Sequence, residues 1–110
     1  MRIFFLGAII SIFSFLPLQT LAIDNLSGEQ LFIQNCSGCH INGGNIIRRR
    51  KTLKLSALEK NGIDNTEAIA KIASQGIGIM DGYEEVLGKN GANLVANWIL
   101  EQAQNAWIQG

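Results

Sequence analysis

Both cysteines and the single histidine of this 110-residue chain lie within one stretch, NCSGCH, residues 35–40. Cys36, Cys39 and His40 stand at positions i, i+3 and i+4, which share one face of a helix. This is the C-x-x-C-H spacing of covalent haem attachment, in which the two thiols add to the two vinyl groups of the porphyrin. The adjacent histidine is then within reach of the iron. The spacing predicts a haem c bound by Cys36 and Cys39, with His40 as an iron ligand.

Three other uses of a C-x-x-C pair compete with haem attachment. A thiol–disulfide site usually lies near a βαβ pattern, and this sequence shows no strand of useful length. A zinc site needs four ligands, and the chain holds no further cysteine or histidine. A disulfide between cysteines three residues apart closes too short a loop to stabilise a fold much. A haem-free C-x-x-C thiol–disulfide protein is therefore the alternative from another class.

A haem iron bound by one histidine either takes a sixth ligand or keeps an open site. Met80 is the only methionine apart from Met1. A thioether is a soft, neutral ligand that raises the reduction potential of the iron. A lone methionine is more often core filler, but Met80 lies in a glycine-rich loop that can wrap over a flat ligand. We expect Met80 as the second axial ligand, which leaves electron transfer, and no enzymatic activity, at the iron.

The chain divides into a leader and one domain. Residues 1–22 start with a single basic residue, Arg2, continue as an apolar run, and end with small residues at Thr20 and Ala22. This pattern is typical of a secretory signal peptide. We expect cleavage after Ala22, which leaves residues 23–110 as a domain that is not integral to the membrane. An uncleaved N-terminal anchor is the alternative.

The charge pattern bears on partners. Nine Lys and Arg residues balance nine Asp and Glu residues, and removal of residues 1–22 takes away one arginine. A slightly acidic processed chain argues against nucleic acid as a partner. Four consecutive cations occupy residues 48–51, RRRK. A run of this kind predicts a solvated surface loop, with a docking patch as the sharper alternative.

Helix-start signals precede the two first predicted helices. Ser27, with Gln30 three residues on, forms a capping-box pattern, which predicts a helix from about residue 28 to the cysteine segment. Ser56 and Glu59 repeat this pattern, and Gly62 is a stop signal. The sequence therefore predicts a second short helix that begins after Ser56.

The C-terminal half contains two more helical patterns. Asp64 or Asn65 caps the third helix, in which apolar residues recur at helical spacing until Gly76. Residues 77–88 have no sustained period and several glycines, which predicts a loop. The last helix runs from about residue 90 to residue 104. The class is all-α, and four short helices with long loops bury little unless they surround another group.

Three segments resemble the cytochrome c6 family, the small soluble electron carriers of cyanobacteria and algal plastids. They are GEQLFIQNCSGCHINGGNII at residues 28–47, KTLKLSALEKNGIDNTEAIAKIASQG at 51–76, and LVANWILEQAQNAW at 94–107, which ends on the family's tryptophan. The resemblance implies a class I cytochrome c fold with four short helices around one covalent haem. In that fold the first helix crosses the last, so that Gly28 and Phe32 meet a face formed by Val95, Trp98 and Ile99.

The resemblance also implies a function and a site. Cys36 and Cys39 would be the haem attachment sites, and His40 and Met80 the axial ligands. The usual role is that of a monomeric one-electron carrier from the cytochrome b6f complex to photosystem I or a cytochrome oxidase. Docking to these partners would be transient. The expected location is the thylakoid lumen, with the periplasm as the alternative.

Several positions depart from the family pattern. Met80 precedes Asp81-Gly82-Tyr83 where relatives commonly have Pro-Ala-Phe, so Asp81 adds a negative charge near the iron. Ile72 stands where glutamine is common, and subtypes with an aliphatic residue there resemble lower-potential carriers. Val86 replaces a basic residue, while positive charge has moved to residues 48–50. These departures favour, as the alternative, a low-potential c6-like carrier that serves another lumenal partner or redox signalling.

Overall fold

The computed structural model describes residues 26–108 and Gly7, so the predicted signal peptide, Gly7 apart, lies outside the described residues. The elements in chain order are α1 (Gly28–Asn35), a 3-10 turn (Ile41–Gly43), α2 (Leu55–Lys60), α3 (Thr66–Gln75), β1 (Gly76–Ile77), β2 (Met80–Asp81) and α4 (Glu84–Gln104). The two strands form a minimal antiparallel hairpin. The all-α prediction is confirmed. Within residues 26–108, none of the helices has the length and apolar character needed to cross a membrane.

α1 begins as its capping box predicts. The Ser27 hydroxyl accepts the Gln30 backbone N–H at 3.2 Å, and the Gln30 side-chain oxygen accepts the Ser27 backbone N–H at 2.9 Å. These two bonds satisfy N–H groups that a helix start leaves without partners. At the other end, the backbone N–H of Cys36 bonds to the Phe32 carbonyl at 2.8 Å. The cysteine segment is therefore a direct continuation of α1.

α2 begins earlier than the sequence pattern indicates. Its N-cap is Lys54, which makes no side-chain cap bond, and the N–H groups of Ala57 and Leu58 both bond to the Lys54 carbonyl at 3.0 Å. The prediction of Ser56 as the cap was wrong, because backbone bonds to the Lys54 carbonyl start the helix without a side-chain cap. Gly62, with φ of 69°, follows the helix end as predicted.

α3 begins at one of its two predicted caps. The Asn65 side-chain oxygen accepts the Ala68 backbone N–H at 2.8 Å, so Asn65 is the cap and Asp64 is not. The buried residues of the helix are Ile69, Ala70 and Ala73, which follow the predicted helical spacing. The helix ends at Gly76, whose φ of 77° suits glycine.

α4 starts before its predicted position. One helical turn precedes Gly88, where the backbone breaks from the helix with φ of 63° and ψ of 179°. The prediction of a loop through residue 88 was therefore wrong for this turn. Glu84 and Glu85 lie in the first turn, where negative charge favours a helix start, and Leu87 is buried. The glycine break hides this turn from a search for helical periodicity.

The crossing of α1 over α4 agrees with the expected class I arrangement. A Cβ added to Gly28 would overlap the Leu94 carbonyl oxygen and lie 2.8 Å from the Trp98 Cβ, so glycine permits the close approach. The Phe32 ring centroid lies 4.9 Å from that of Trp98. Val95 and Ile99 of α4 are buried in the same core. α4 also packs against α3 and is thus the central helix.

The Trp107 side chain packs against aromatic rings of the helices and binds the loop before α2 through a hydrogen bond. Its ring centroid lies 5.5 Å from that of Phe32 and 5.6 Å from that of Trp98. Its Nε1–H donates to the Leu53 carbonyl at 3.0 Å. A Cβ on Gly43 would overlap the Trp107 ring. The loop that follows the cysteine segment is therefore held against the C-terminal turn.

Candidate haem site

A cavity of about 620 Å³ lies between the end of α1, α3, α4 and the hairpin. Pockets that enclose small ligands commonly measure about 300–1,000 Å³. All four predicted site residues line it: Cys36, Cys39, His40 and Met80. The first three come from the turn that continues α1, and the fourth comes from β2. The fold thus brings together residues from two segments that are distant in sequence.

The C-x-x-C-H segment is held by its own backbone. The N–H groups of Cys39 and His40 bond to the Cys36 carbonyl at 3.2 and 3.0 Å. Both cysteines are free thiols; Cys36 is half-buried and Cys39 is exposed. One thiol therefore lies inside the cavity wall and the other at its mouth, and neither is engaged in a disulfide.

The His40 imidazole is buried and oriented by the glycine loop that follows it. Its Nδ1 lies 2.8 Å from the Gly44 carbonyl oxygen. His40 as a whole is 9% exposed. A carbonyl can only accept, so Nδ1 carries the proton and Nε2 carries the lone pair. Metal-binding histidines usually have this arrangement. His40 is therefore in the tautomer that can bind iron through Nε2.

Met80 is presented by the hairpin, which is pinned to the end of α3. A Cβ on Gly82 would overlap the Ser74 carbonyl oxygen, and one on Gly76 would overlap that of Met80. The Tyr83 N–H also bonds to the Ala73 carbonyl at 2.9 Å. These close contacts fix the hairpin backbone, and Met80 itself is half-buried in the cavity wall.

The remaining wall is mostly apolar. The buried side chains that face the cavity are Leu58, Ile69, Ala73, Val95 and Ile99. Ile72, one of the departures from the family pattern, also lines it. Apolar walls, paired free thiols, an oriented imidazole and a thioether together fit an apolar ring that carries a metal. These residues could hold a covalent haem.

The acidity of the thiols weighs against the dithiol alternative. Burial, and to a lesser degree the neighbouring Cys39, raise the pKa of the Cys36 thiol to about 11. A thiol–disulfide enzyme needs a thiolate and hence a lowered pKa. Cys36 therefore lacks the property that would make it an attacking nucleophile in disulfide exchange.

Sequence reasoning missed a polar side of this cavity. Asn45, Arg48, Lys51 and Asn61 all line it. The prediction of an exposed loop for residues 48–51 is confirmed, since all four residues are exposed, but it did not distinguish the cations that also face the cavity. Asn45, three residues before Arg48, is the available signal, because asparagine side chains often organise turns.

An α1–α4 crossing, a helical shell and a cavity lined by C-x-x-C-H and a distant methionine define the class of c-type cytochromes. Residues 24–99 match the family described as cytochrome C oxidase, cbb3-type, subunit III. The chain is 44% identical over 86 residues to a protein named cytochrome c6-like from Nostoc sp. (strain PCC 7120), with 78% of each chain covered. The chain belongs to the cytochrome c6 family and, like that family, carries one covalent c-type haem.

Solved structures agree with this assignment. The crystal structure of cytochrome c6B from Synechococcus sp. WH8102 superposes with a TM-score of 0.73 at 65% identity, over 76% of this chain and 94% of that one. Cytochrome c6C from Synechococcus sp. PCC 7002 gives a TM-score of 0.69 at 45% identity, over 71% and 95% of the two chains. The class I cytochrome fold is therefore shown, and with it a c-type haem electron carrier.

Proposed function

We propose that this protein carries single electrons between protein partners through a haem attached at Cys36 and Cys39, with His40 and Met80 as axial ligands. The observation that carries the proposal is that these four side chains line one apolar cavity. The bound haem supplies a one-electron change between ferric and ferrous iron.

Each residue of the site has a distinct task in this proposal. The Gly44 carbonyl holds the His40 ring at 2.8 Å, so that the imidazole needs little rearrangement when the iron changes charge. Met80 contributes a neutral thioether, which favours the reduced state. Buried apolar side chains exclude water from the ring. With His40 and Met80 both bound to the iron, the site would transfer electrons and would not bind a substrate.

Electron exchange would take place where the cavity meets the surface. Cys39 is exposed, so a thioether bond to it brings one edge of the ring to the solvent boundary. Partners that dock there need to form weak, short-lived and salt-sensitive complexes. This suits a monomeric shuttle better than a stable subunit.

The proposed setting follows from the leader sequence and the family. Residues 1–22 act as a signal peptide that is cleaved after Ala22, and residues 23–110 act as a soluble protein in the thylakoid lumen, or otherwise in the periplasm. The donor is the cytochrome b6f complex. The acceptor is photosystem I or a cytochrome oxidase.

A second candidate is a low-potential carrier for another lumenal partner or for redox signalling. It is favoured by Ile72 and Asp81, both of which line the cavity. A carboxylate near the iron stabilises the ferric state by Coulomb attraction and so lowers the midpoint potential. Asp81 is exposed, so solvent screens part of this effect.

An absorption spectrum of the exported protein tests the proposal. Reduction should give sharp α and β bands, and acid acetone should leave the pigment on the polypeptide. Colourless protein from cells that mature c-type cytochromes would contradict it. A redox titration then separates the two candidates, because a midpoint potential well below that of the cytochrome b6f donor excludes ordinary delivery to photosystem I.

A further inference from the structure

The polar side of the cavity is formed by the turn of residues 45–51 and by Asn61. Arg48 and Lys51 bring positive charge to a wall that is otherwise mostly apolar, and Asn45 and Asn61 bring amide groups. Haem c is an apolar ring with propionate carboxylates along one edge. The cavity and the cofactor therefore share the same division between an apolar part and a charged part.

Asn45 builds the turn. Its side-chain oxygen accepts the backbone N–H groups of Ile47 and Arg48 at 3.0 and 2.8 Å. Its side-chain nitrogen donates to the Lys51 carbonyl at 3.0 Å. The Lys51 N–H also bonds to the Arg48 carbonyl at 3.0 Å. One asparagine side chain thus ties both ends of the cationic turn together.

The four cations of the turn divide into two pairs. Arg48 and Lys51, at its ends, line the cavity, whereas Arg49 and Arg50, at its tip, do not. The Lys51 Nζ also donates to the Asn61 side-chain oxygen at 3.0 Å, and Asn61 lines the same cavity. The turn therefore directs one pair of charges toward the cavity.

We propose that this turn is a carboxylate clamp, in which Arg48 and Lys51 bind the propionates of the haem while Arg49 and Arg50 face solvent only. The clamp rests on the proposed function, since it requires haem in this cavity. A guanidinium can bind a carboxylate through two parallel N–H bonds, and an ammonium acts as a point charge. Because both cations oppose the extra positive charge of ferric iron, the clamp raises the midpoint potential.

The test compares matched holoproteins that each lose one charge from the same run. For Arg48→Gln we expect the ratio of reduced to oxidised protein at a fixed applied potential to fall about three- to tenfold, since the lost charge lines the cavity and solvent screens only part of it at this exposed residue. At about 59 mV per tenfold this is a midpoint lower by about 28–59 mV. Arg49→Gln and Arg50→Gln should shift it by less than half as much. Equal shifts in all three variants overturn the clamp.

The pH profile of the midpoint gives a second readout. Without a nearby cation, a propionate has a higher pKa, and its neutral form favours ferrous iron. As the pH falls, the midpoint of Arg48→Gln should therefore begin to rise at a higher pH than that of wild type. In the holoprotein Cys36, Cys39 and His40 would be bound to the haem, and the other titratable groups that line the cavity (Lys51, Asp81 and Tyr83) are the same in Arg48→Gln and Arg49→Gln. Identical profiles for these two variants overturn the clamp.

Asn45→Ala tests positioning without a change of charge. Because this variant loses the bonds that hold the turn, we expect its midpoint to move in the same direction as that of Arg48→Gln. Arg48→Lys should recover part of the wild-type value. If Arg48→Gln does not accumulate as holoprotein, Arg48→Met keeps the apolar stem and carries the same comparison with Arg49→Gln. Wild-type midpoints in both Asn45→Ala and the charge-removed Arg48 variant overturn the clamp.

The failure of the clamp can be told apart from the failure of the proposed function. Each variant is first reduced and its absorption spectrum recorded. Intact α and β bands with an unchanged midpoint in Arg48→Gln reject the clamp and leave the covalent haem in place. Absence of those bands in wild type rejects the proposed function itself and the clamp with it.

Discussion

The α1–α4 crossing and the haem cavity are two halves of one core, and they are completed in different ways. At the crossing, Gly28 lies against Leu94 and Trp98, and the aromatic rings of Phe32 and Trp107 fill the remaining space. The chain supplies both sides of these contacts. At the cavity, the apolar walls are shaped for contact with a cofactor, and Ile77 and Ile79 at the rim are 62% and 61% exposed.

The difference between the two halves separates the consequences of mutation. A change at the crossing alters packing between helices and should appear in the free energy of unfolding. A change at the cavity alters attachment, ligation or charge around the haem and should appear in spectra and midpoint potentials. The following variants test that separation, and they are arranged from the largest expected effect to the smallest.

His40→Ala should abolish a stable holoprotein. The variant loses the imidazole as an iron ligand and leaves the Gly44 carbonyl without its 2.8 Å partner. The yield of covalent haem per polypeptide is the measurement. Ile41→Ala is the control, since Ile41 is adjacent and 60% exposed, and it should give a wild-type yield. A folded, red His40→Ala protein would count against this assignment.

Met80→Ala should keep its covalent haem but bind carbon monoxide. Removal of the thioether opens one axial position, while attachment through Cys36 and Cys39 is untouched. Carbon monoxide binding to the reduced protein is followed by absorption. Ile79→Ala removes a neighbouring side chain of the cavity rim and should bind no more than wild type. If Met80→Ala also binds no more, another residue is the sixth ligand.

Gly28→Ala should destabilise the fold with little effect on the midpoint potential. The new Cβ would lie 2.8 Å from the Trp98 Cβ and overlap the Leu94 carbonyl, and overpacking of this kind costs about 1–3 kcal/mol. Denaturant unfolding of the holoprotein measures the cost. At Gly38 an added Cβ meets nothing within 4 Å, so Gly38→Ala should be close to neutral. A large midpoint shift in Gly28→Ala would show that the two halves are not separable.

Trp107→Phe should give the smallest loss of this set, because a six-membered aromatic ring stays in the core while the 3.0 Å bond from Nε1 to the Leu53 carbonyl and the packing of the five-membered ring disappear. A net hydrogen bond contributes about 0.5–1.5 kcal/mol. The free energy of unfolding is again the measurement. Wild-type stability would mean that water replaces the indole N–H at Leu53 at no cost.

Local features of this fold could be predicted from the sequence, because the interactions behind them join residues three or four apart. The Ser27–Gln30 capping box and the Asn65 cap are examples. The hydrogen bond from Trp107 to Leu53 joins residues 54 apart, so no local sequence pattern predicts it. The prediction from Ser56 failed because α2 begins with backbone bonds to the Lys54 carbonyl and has no side-chain cap that a sequence pattern could show.

The candidate site was predictable in its chemistry and less so in its surroundings. The scarcity of Cys, His and Met pointed to Cys36, Cys39, His40 and Met80, and all four line the cavity; their roles stay a prediction. The direction of Arg48 was not predictable. Four consecutive cations have the same chemistry in sequence, and only the turn made by Asn45 separates those that face the cavity from those that do not.

The indole of Trp107 has a consequence for the order in which the chain can close. Until the Trp107 side chain is in place, the Leu53 carbonyl and the space beside Gly43 lack the partner that secures them. Leu53 also lines the cavity, so this wall closes only when the C-terminal turn packs against it. A haem could therefore enter the cavity of an exported, still unfolded chain before that last contact forms.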